Sequence, residues 1–101
     1  MSAKGIGLHE DALAEAQAAY DWYASQDPTA AEAFIDELDQ AMERLIEFPN
    51  LGGSYSSKTR RYVMKRFPYT LIYRERPRII EIVAVAHARR KPGYWKKRVT
   101  N

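Results

Sequence analysis

Two stretches in the first half of the chain repeat apolar residues at helical spacing. The first runs to about Gln26, and its apolar positions are Ala12, Ala16, Ala19, Tyr20 and Tyr23. Asp27 followed by Pro28 predicts the start of a second helix, because aspartate accepts from unpaired N–H groups and proline presets the first turn. This helix should end before Pro49, and its apolar stripe is Ala31, Phe34, Ile35, Leu38, Met42, Leu45 and Ile46. The short connection predicts that the two helices are antiparallel neighbours.

Beyond a polar, turn-forming loop at residues 49–58, the period changes to the alternation typical of strands. Three β-prone runs, 60–66, 69–76 and 78–87, are separated at Pro68 and Pro77. Their short connections predict an antiparallel meander, and residues 5–8 could add a short first strand. In the last run, strict alternation predicts one apolar face, expected to cover the helices, formed by Ile80, Ile82, Ala84 and Ala86. The other face is mixed and carries Glu81, Val83, Val85 and His87.

A chain of 101 residues can bury one hydrophobic core. The predicted fold is therefore a single α+β domain spanning residues 1–101, in which an N-terminal helix hairpin packs on a C-terminal antiparallel sheet. A basic tail follows the last strand.

The charge is divided unevenly along the chain. Up to Asn50, two basic residues face eleven acidic ones, for a net −9; from Leu51 onward, fourteen basic residues face two acidic ones, for a net +12. One interpretation is that the two halves neutralise each other within the fold. The other is that the basic half binds an anionic partner, either nucleic acid or an acidic protein.

Composition and motifs exclude several classes of site. The chain has no cysteine and only two histidines, so we expect no metal and no other cofactor. It contains no phosphate-binding loop, no dinucleotide fingerprint and no recognisable serine or cysteine nucleophile. The start of the chain has no apolar signal segment, and no run is long enough to span a bilayer, so we expect a cytoplasmic protein.

The remaining chemistry is concentrated around the end of the last predicted strand. Basic residues alternate there with aromatic ones, which is typical of surfaces that hold phosphates and stack on bases. His87 could serve as a general acid or base, or could simply be a strand-end histidine that donates to a backbone carbonyl. Tyr94 and Trp95 could stack on a base or could pack the tail onto the body. His9, near the start of the first helix, is interpreted as a capping or surface residue.

Three segments together resemble the RelE/ParE superfamily of toxins from bacterial type II toxin–antitoxin systems. They are the WY pair at Trp22 and Tyr23, the segment MKRFPYTLIYRE, and IVAVAHARRKPGYW; the resemblance extends over residues 8–98. It implies a growth inhibitor, of the kind linked to plasmid stabilization, that is neutralised by a cognate antitoxin with an acidic C-terminal segment, in a toxin–antitoxin hetero-oligomer.

The superfamily contains two biochemistries. ParE-like members poison DNA gyrase without a known hydrolytic site, whereas RelE-like members are ribosome-dependent mRNA endoribonucleases. A histidine followed by arginine after the last strand, as in AVAHARR, is more similar to ParE-like chains. RelE-like chains usually carry an arginine where this sequence has Thr70, and another where it has Ala88. We therefore expect a ParE-like gyrase poison rather than an enzyme, with the ribonuclease and a plain nucleic-acid-binding module as alternatives.

The basic and aromatic cluster and the resemblance together supply candidate residues. If the protein is a ribonuclease, the candidate catalytic residues are His87, Arg90, Tyr94, Arg61 and Lys65. The candidates for binding the target or the antitoxin are Arg60, Arg66, Arg89, Lys91, Trp95, Lys96, Lys97 and Arg98.

Overall fold

Two antiparallel helices cover one face of a five-stranded sheet in the computed structural model, which describes residues 4–99. The helices are α1 (Glu10–Gln26) and α2 (Pro28–Glu47). The strands are β1 (Gly5–Leu8), β2 (Gly53–Ser54), β3 (Arg60–Val63), β4 (Tyr69–Glu75) and β5 (Ile79–His87). Their order in the sheet is β1-β5-β4-β3-β2; β1 runs parallel to β5 and the other pairs are antiparallel. The predicted α+β architecture, including the short first strand, is confirmed.

Local hydrogen bonds fix both helix starts. His9 caps α1, since its Nδ1 accepts from the Asp11 N–H at 3.0 Å, as expected of a capping residue. Asp27 is the whole connection between the helices: its backbone N–H donates to the Tyr23 carbonyl, and its side chain accepts from the Thr29 N–H at 3.0 Å. A one-residue connection forces α2 back along α1, and alanines on the buried face of α1 allow the close approach.

The observed strands differ from the predicted runs mainly at their ends. β3 stops at Val63 rather than at residue 66, because the backbone N–H groups of Lys65 and Arg66 donate to the Glu37 carboxylate on α2 instead of to a neighbouring strand. The predicted loop at 49–58 contains the two-residue strand β2, paired with β3, and a short 3-10 turn at Ser56–Lys58.

A β-bulge at Val83 changes which side chains of β5 face the helices. Ile72 pairs with Ala84 and Tyr73 pairs with Ile82, so Val83 has no partner on β4. Ile80 and Ile82 join the helix-side core as predicted, but beyond the bulge it is Val85 that does so, while Ala84 and Ala86 face the opposite side. The prediction of one uninterrupted apolar face was therefore wrong, because an extra residue shifts an alternating pattern by one position.

The sheet face opposite the helices carries a second, smaller core. Trp95 lies there at 2% exposure, with Ile72, Val83 and Ala84 beneath it and Tyr55 beside it. The segment after β5 thus packs across the sheet and ends in a 3-10 turn at Lys96–Arg98. Neither helix within residues 4–99 has an apolar stretch long enough to cross a membrane.

Candidate functional site

A small basic pocket opens on this second face, where β5 ends. Its volume is about 140 Å³, and no acidic side chain of residues 4–99 lines it. Strand β3 contributes Arg61, the end of β5 contributes His87, and the following segment contributes Arg90, Lys91, Tyr94 and Trp95. The fold therefore gathers cations that lie up to 30 positions apart in the sequence.

Both arginines of the pocket rest on aromatic rings. The Arg61 guanidinium carbon lies 4.8 Å from the centre of the Tyr55 ring, and that of Arg90 lies 3.7 Å from the centre of the Tyr94 ring. Stacking of this kind occupies the flat face of a guanidinium and leaves its in-plane N–H groups able to donate. The rings hold the two cations in place without neutralising them.

The carboxylate of Glu15 forms the centre of a hydrogen-bond network beside the pocket. It accepts hydrogen bonds from the Tyr94 hydroxyl at 2.7 Å and from two guanidinium nitrogens of Arg98 at 2.8 and 3.0 Å. The side chains of Glu15 and Arg98 are each only 14% exposed. Arg90 approaches the same carboxylate at 3.9 Å. This network joins the C-terminal segment to α1.

The same network supplies hydrogen-bond partners for the backbone of β5 beyond the end of β1. The last contact from the β1 side is the His9 N–H donating to the Ile82 carbonyl at 2.9 Å. Past it, the Val83 carbonyl accepts from Arg98 and the Val85 N–H donates to Glu15, each at 3.0 Å. Buried backbone groups need partners, so Glu15 and Arg98 replace the missing strand along this part of the edge.

The network also sets the protonation of its members. Burial by itself raises the pKa of Glu15, but hydrogen bonds from Arg98, Tyr94 and the Val85 N–H outweigh it and lower that pKa overall. Burial, together with the hydrogen bond to Glu15, raises the pKa of Tyr94 far above that of a free phenol. The hydrogen bond to Glu15 raises the pKa of Arg98. Glu15 is therefore a carboxylate at neutral pH, and Tyr94 keeps its proton.

His87 stands at the rim of the pocket with one ring nitrogen already engaged. Its Nδ1 accepts from the Arg89 N–H at 3.0 Å, so in the neutral ring the proton is on Nε2. The ring packs edge-on against Tyr69, with 5.0 Å between centroids. His87 makes a strand-end hydrogen bond, but as an acceptor from the backbone rather than as a donor to a carbonyl.

The other predicted site residues lie in different surroundings. Lys65 and Arg66 line a separate cavity of about 330 Å³ beside α2. Arg60 donates to the Gly52 carbonyl at 2.7 Å. Trp95 and Arg98 are packed into the body, whereas Arg89, Lys96 and Lys97 are exposed. Of the five candidate catalytic residues, the structure brings together Arg61, His87, Arg90 and Tyr94 but not Lys65.

Glu15 was not among the residues singled out from the sequence. A signal was present, because position 15 falls within the stripe formed by Ala12, Ala16 and Ala19, where an acidic residue faces the body of the protein. An acidic residue within a buried helical stripe needs a partner, and that requirement could have drawn attention to the arginines of the tail.

Comparisons with known proteins support the same fold. The family described as "ParE toxin of type II toxin-antitoxin system, parDE" has a sequence model that matches residues 6–92. A solved structure described as a chromosomal ParDE toxin–antitoxin system from P. aeruginosa is similar to the chain, with a TM-score of 0.72 and 19% sequence identity. The match covers 83% of this chain and 95% of that one. No curated protein sequence matches the chain.

Proposed function

The chain belongs to the ParE toxin family of type II toxin–antitoxin systems, and on that premise we propose that it stops growth by poisoning DNA gyrase and that a cognate antitoxin neutralises it. The proposal places its action in the cytoplasm, where gyrase and DNA are found. It requires a binding surface rather than a set of reacting groups.

The observation that carries the proposal is the state of the candidate catalytic residues. The Tyr94 hydroxyl donates to Glu15, and the pKa of this tyrosine is raised, so the phenol is both a poor acid and a poor base near neutrality. Lys65 lies in a different cavity. Of the five candidate catalytic residues, only His87 is left to move protons, whereas general acid–base cleavage of RNA by attack of a 2′-hydroxyl uses both a base and an acid. The arrangement therefore supports a protein that acts by binding its target rather than by cleaving RNA.

The distribution of charge on the protein supports the proposal of an antitoxin with an acidic segment. The exposed side of α2 presents acidic residues, and the cations Arg61, Arg90 and Lys91 lie together on the opposite face of the sheet. Within residues 4–99, the ion pairs that join the two halves include Glu15 with Arg98 and Lys4 with Glu75. Arg61 and Lys91 make no ion pair within the described residues, and an antitoxin segment rich in Asp and Glu would complement such cations in a toxin–antitoxin complex.

The RelE-like ribonuclease remains the second candidate, because Arg61, His87 and Arg90 do share one pocket. In that mechanism the arginines would stabilise charge on the phosphate and His87 would transfer a proton. The two candidates differ in the molecule that is damaged.

Induced expression without antitoxin, with replication, translation and message integrity followed separately, tests the proposal. We expect DNA synthesis to stop first, and we expect purified protein to trap cleaved gyrase–DNA complexes. Codon-positioned cuts in ribosome-bound message, with supercoiling unaffected at saturating protein, would replace the proposal with the ribonuclease. Normal growth together with salt-sensitive nucleic-acid binding would indicate a non-toxic binding module. Co-expression of a cognate antitoxin should restore growth.

A further inference from the structure

We propose that the basic pocket between Arg61 and Arg90 is a binding site for one phosphate group of a DNA backbone. The proposal extends the proposed function, on which it depends for the identity of the nucleic acid: DNA held at gyrase. It assigns a ligand chemistry to a particular pocket rather than to the basic half in general.

The pocket has charge that the protein itself does not neutralise. Within residues 4–99, Arg61 makes no ion pair and Lys91 makes none either. Arg90 has only the 3.9 Å approach to Glu15, whose carboxylate is already occupied by Arg98. Three cations around about 140 Å³, with no acidic group in the lining, repel one another unless an anion is present.

The cations are also held in position before any ligand arrives. Glu15 fixes the Tyr94 hydroxyl, and the Tyr94 ring supports Arg90; on the opposite wall, the Tyr55 ring supports Arg61. A cation whose side chain is already ordered loses less conformational entropy when it binds. This arrangement is therefore more than a group of mobile surface charges.

The directions of approach favour phosphate over carboxylate. Arg61 reaches the pocket from β3, and Arg90 and Lys91 reach it from the segment after β5. A tetrahedral phosphate presents oxygens toward several walls at once, whereas a carboxylate presents two oxygens in one plane. A site lined by donors from two walls suits the phosphate.

The surroundings favour a polymer over a free ion. The exposed cations Arg89 and Lys97 lie near the pocket in the sequence, on the segment that forms part of its wall. Further phosphates along a backbone can interact with such flanking charges, as is usual when a protein binds DNA mainly through its backbone. A single inorganic phosphate in the pocket would gain only their long-range attraction.

Fluorescence anisotropy with a short labelled DNA duplex tests the proposal on the full chain. Removing one charge-assisted contact in Arg61→Gln or Arg90→Gln should weaken binding about tenfold and reduce the slope of log affinity against log salt by about one. Arg78→Gln is the matched control, because it removes the same charge from the exposed turn between β4 and β5, away from the pocket. Circular dichroism verifies that each variant is folded.

The ligand is identified by two further measurements, a titration with inorganic phosphate and with DNA, and a competition with polyglutamate. Inorganic phosphate, added at constant ionic strength, should shift the Nε–H signals of Arg61 and Arg90 in a ¹⁵N spectrum, and DNA should shift the same signals at much lower concentration. Shifts with inorganic phosphate but not with DNA would overturn the assignment to DNA. Displacement of DNA by polyglutamate of equal charge at equal concentration would overturn the choice of phosphate. Equal loss of binding in all three variants would show that only overall charge matters.

The gyrase assay separates this inference from the proposed function. If Arg61→Gln and Arg78→Gln both trap gyrase–DNA complexes at the wild-type level, the toxin proposal is kept and the assignment of a DNA phosphate to the pocket is overturned. Pocket-dependent DNA binding by a protein that leaves gyrase untouched would keep the pocket and overturn the gyrase target.

Discussion

The hydroxyl of Tyr94 donates to the carboxylate of Glu15 at 2.7 Å, joining residues 79 positions apart in the chain. The bond connects the C-terminal segment to α1 and fixes the ring on which Arg90 rests. One acidic residue in the first helix therefore has two roles: it stabilises the fold and it orders the basic pocket.

Replacement of Glu15 should be costly for stability. Glu15→Ala leaves the largely buried Arg98, among residues 4–99, with only its 3.7 Å approach to Asp11 as an ion pair, and removal of one member of a buried ion pair typically costs about 3–5 kcal/mol. We expect a loss of about 3 kcal/mol in the free energy of unfolding, measured by urea denaturation. Glu43→Ala, which removes an exposed carboxylate from α2, should change it by less than about 0.5 kcal/mol. Equal urea midpoints for the two variants would contradict the role given to Glu15.

Stability should also depend on the charge of Glu15. Its pKa in the folded protein lies below the ordinary value of 4.5, so its stabilising contribution is complete above that pH and is lost as the pH falls through the folded value. Urea midpoints of the wild-type protein should therefore fall more steeply between about pH 5 and pH 3 than those of Glu15→Gln. Parallel pH profiles would show that the network does not lower this pKa.

Tyr94→Phe should separate structure from proton transfer. The variant keeps the ring that supports Arg90 and loses only the hydroxyl bond that fixes this ring, so we expect about 1 kcal/mol lower stability and growth inhibition that is weakened but not abolished, measured as colony counts after induction without antitoxin. If a folded Tyr94→Phe protein were harmless, the hydroxyl would have a chemical role, and the ribonuclease would gain support.

Two adjacent glycines provide a matched pair. A Cβ on Gly52 would lie 2.5 Å from the Arg61 carbonyl and 2.8 Å from the Tyr73 ring, whereas one on Gly53 meets nothing within 4 Å. Gly52→Ala should lower the free energy of unfolding by about 1–3 kcal/mol, as overpacking usually does. Gly53→Ala should be neutral or slightly stabilising, because alanine restricts the unfolded chain. Similar thermal midpoints for the two variants would contradict the close packing around Tyr73.

The two tryptophans should behave differently when replaced. Trp95, in the C-terminal segment that packs on the sheet, is 2% exposed, whereas Trp22 on α1 is 59% exposed. Trp95→Ala should cost about 3–5 kcal/mol of stability, the usual range for a buried tryptophan, and Trp22→Ala should cost far less. In single-tryptophan variants, acrylamide should quench the fluorescence of Trp22 and spare that of Trp95. Strong quenching of Trp95 would mean that the segment does not stay packed on the sheet.

Much of the architecture was accessible from the sequence because it rests on local signals. Apolar spacing located both helices, Asp27 and Pro28 marked their junction, and alternation located the strands. The ends of the strands were less accessible: β3 stops where Glu37, from a distant helix, takes over the backbone donors of the turn. The grouping of Arg61 with Arg90 was foreseen in outline, whereas the position of Lys65 in a separate cavity was not.

By itself, then, the sequence determined the helix hairpin, the meander, the family resemblance and the separation of acidic from basic charge. These follow from side-chain periodicity, capping chemistry and composition, each of which acts over a few residues or sums over many. Only the tertiary structure decided the bulge at Val83, the burial of Glu15 against Arg98, and which cations share a pocket. Those features depend on contacts between residues far apart in the chain, where a shift of one residue in strand register moves a side chain to the other face of the sheet.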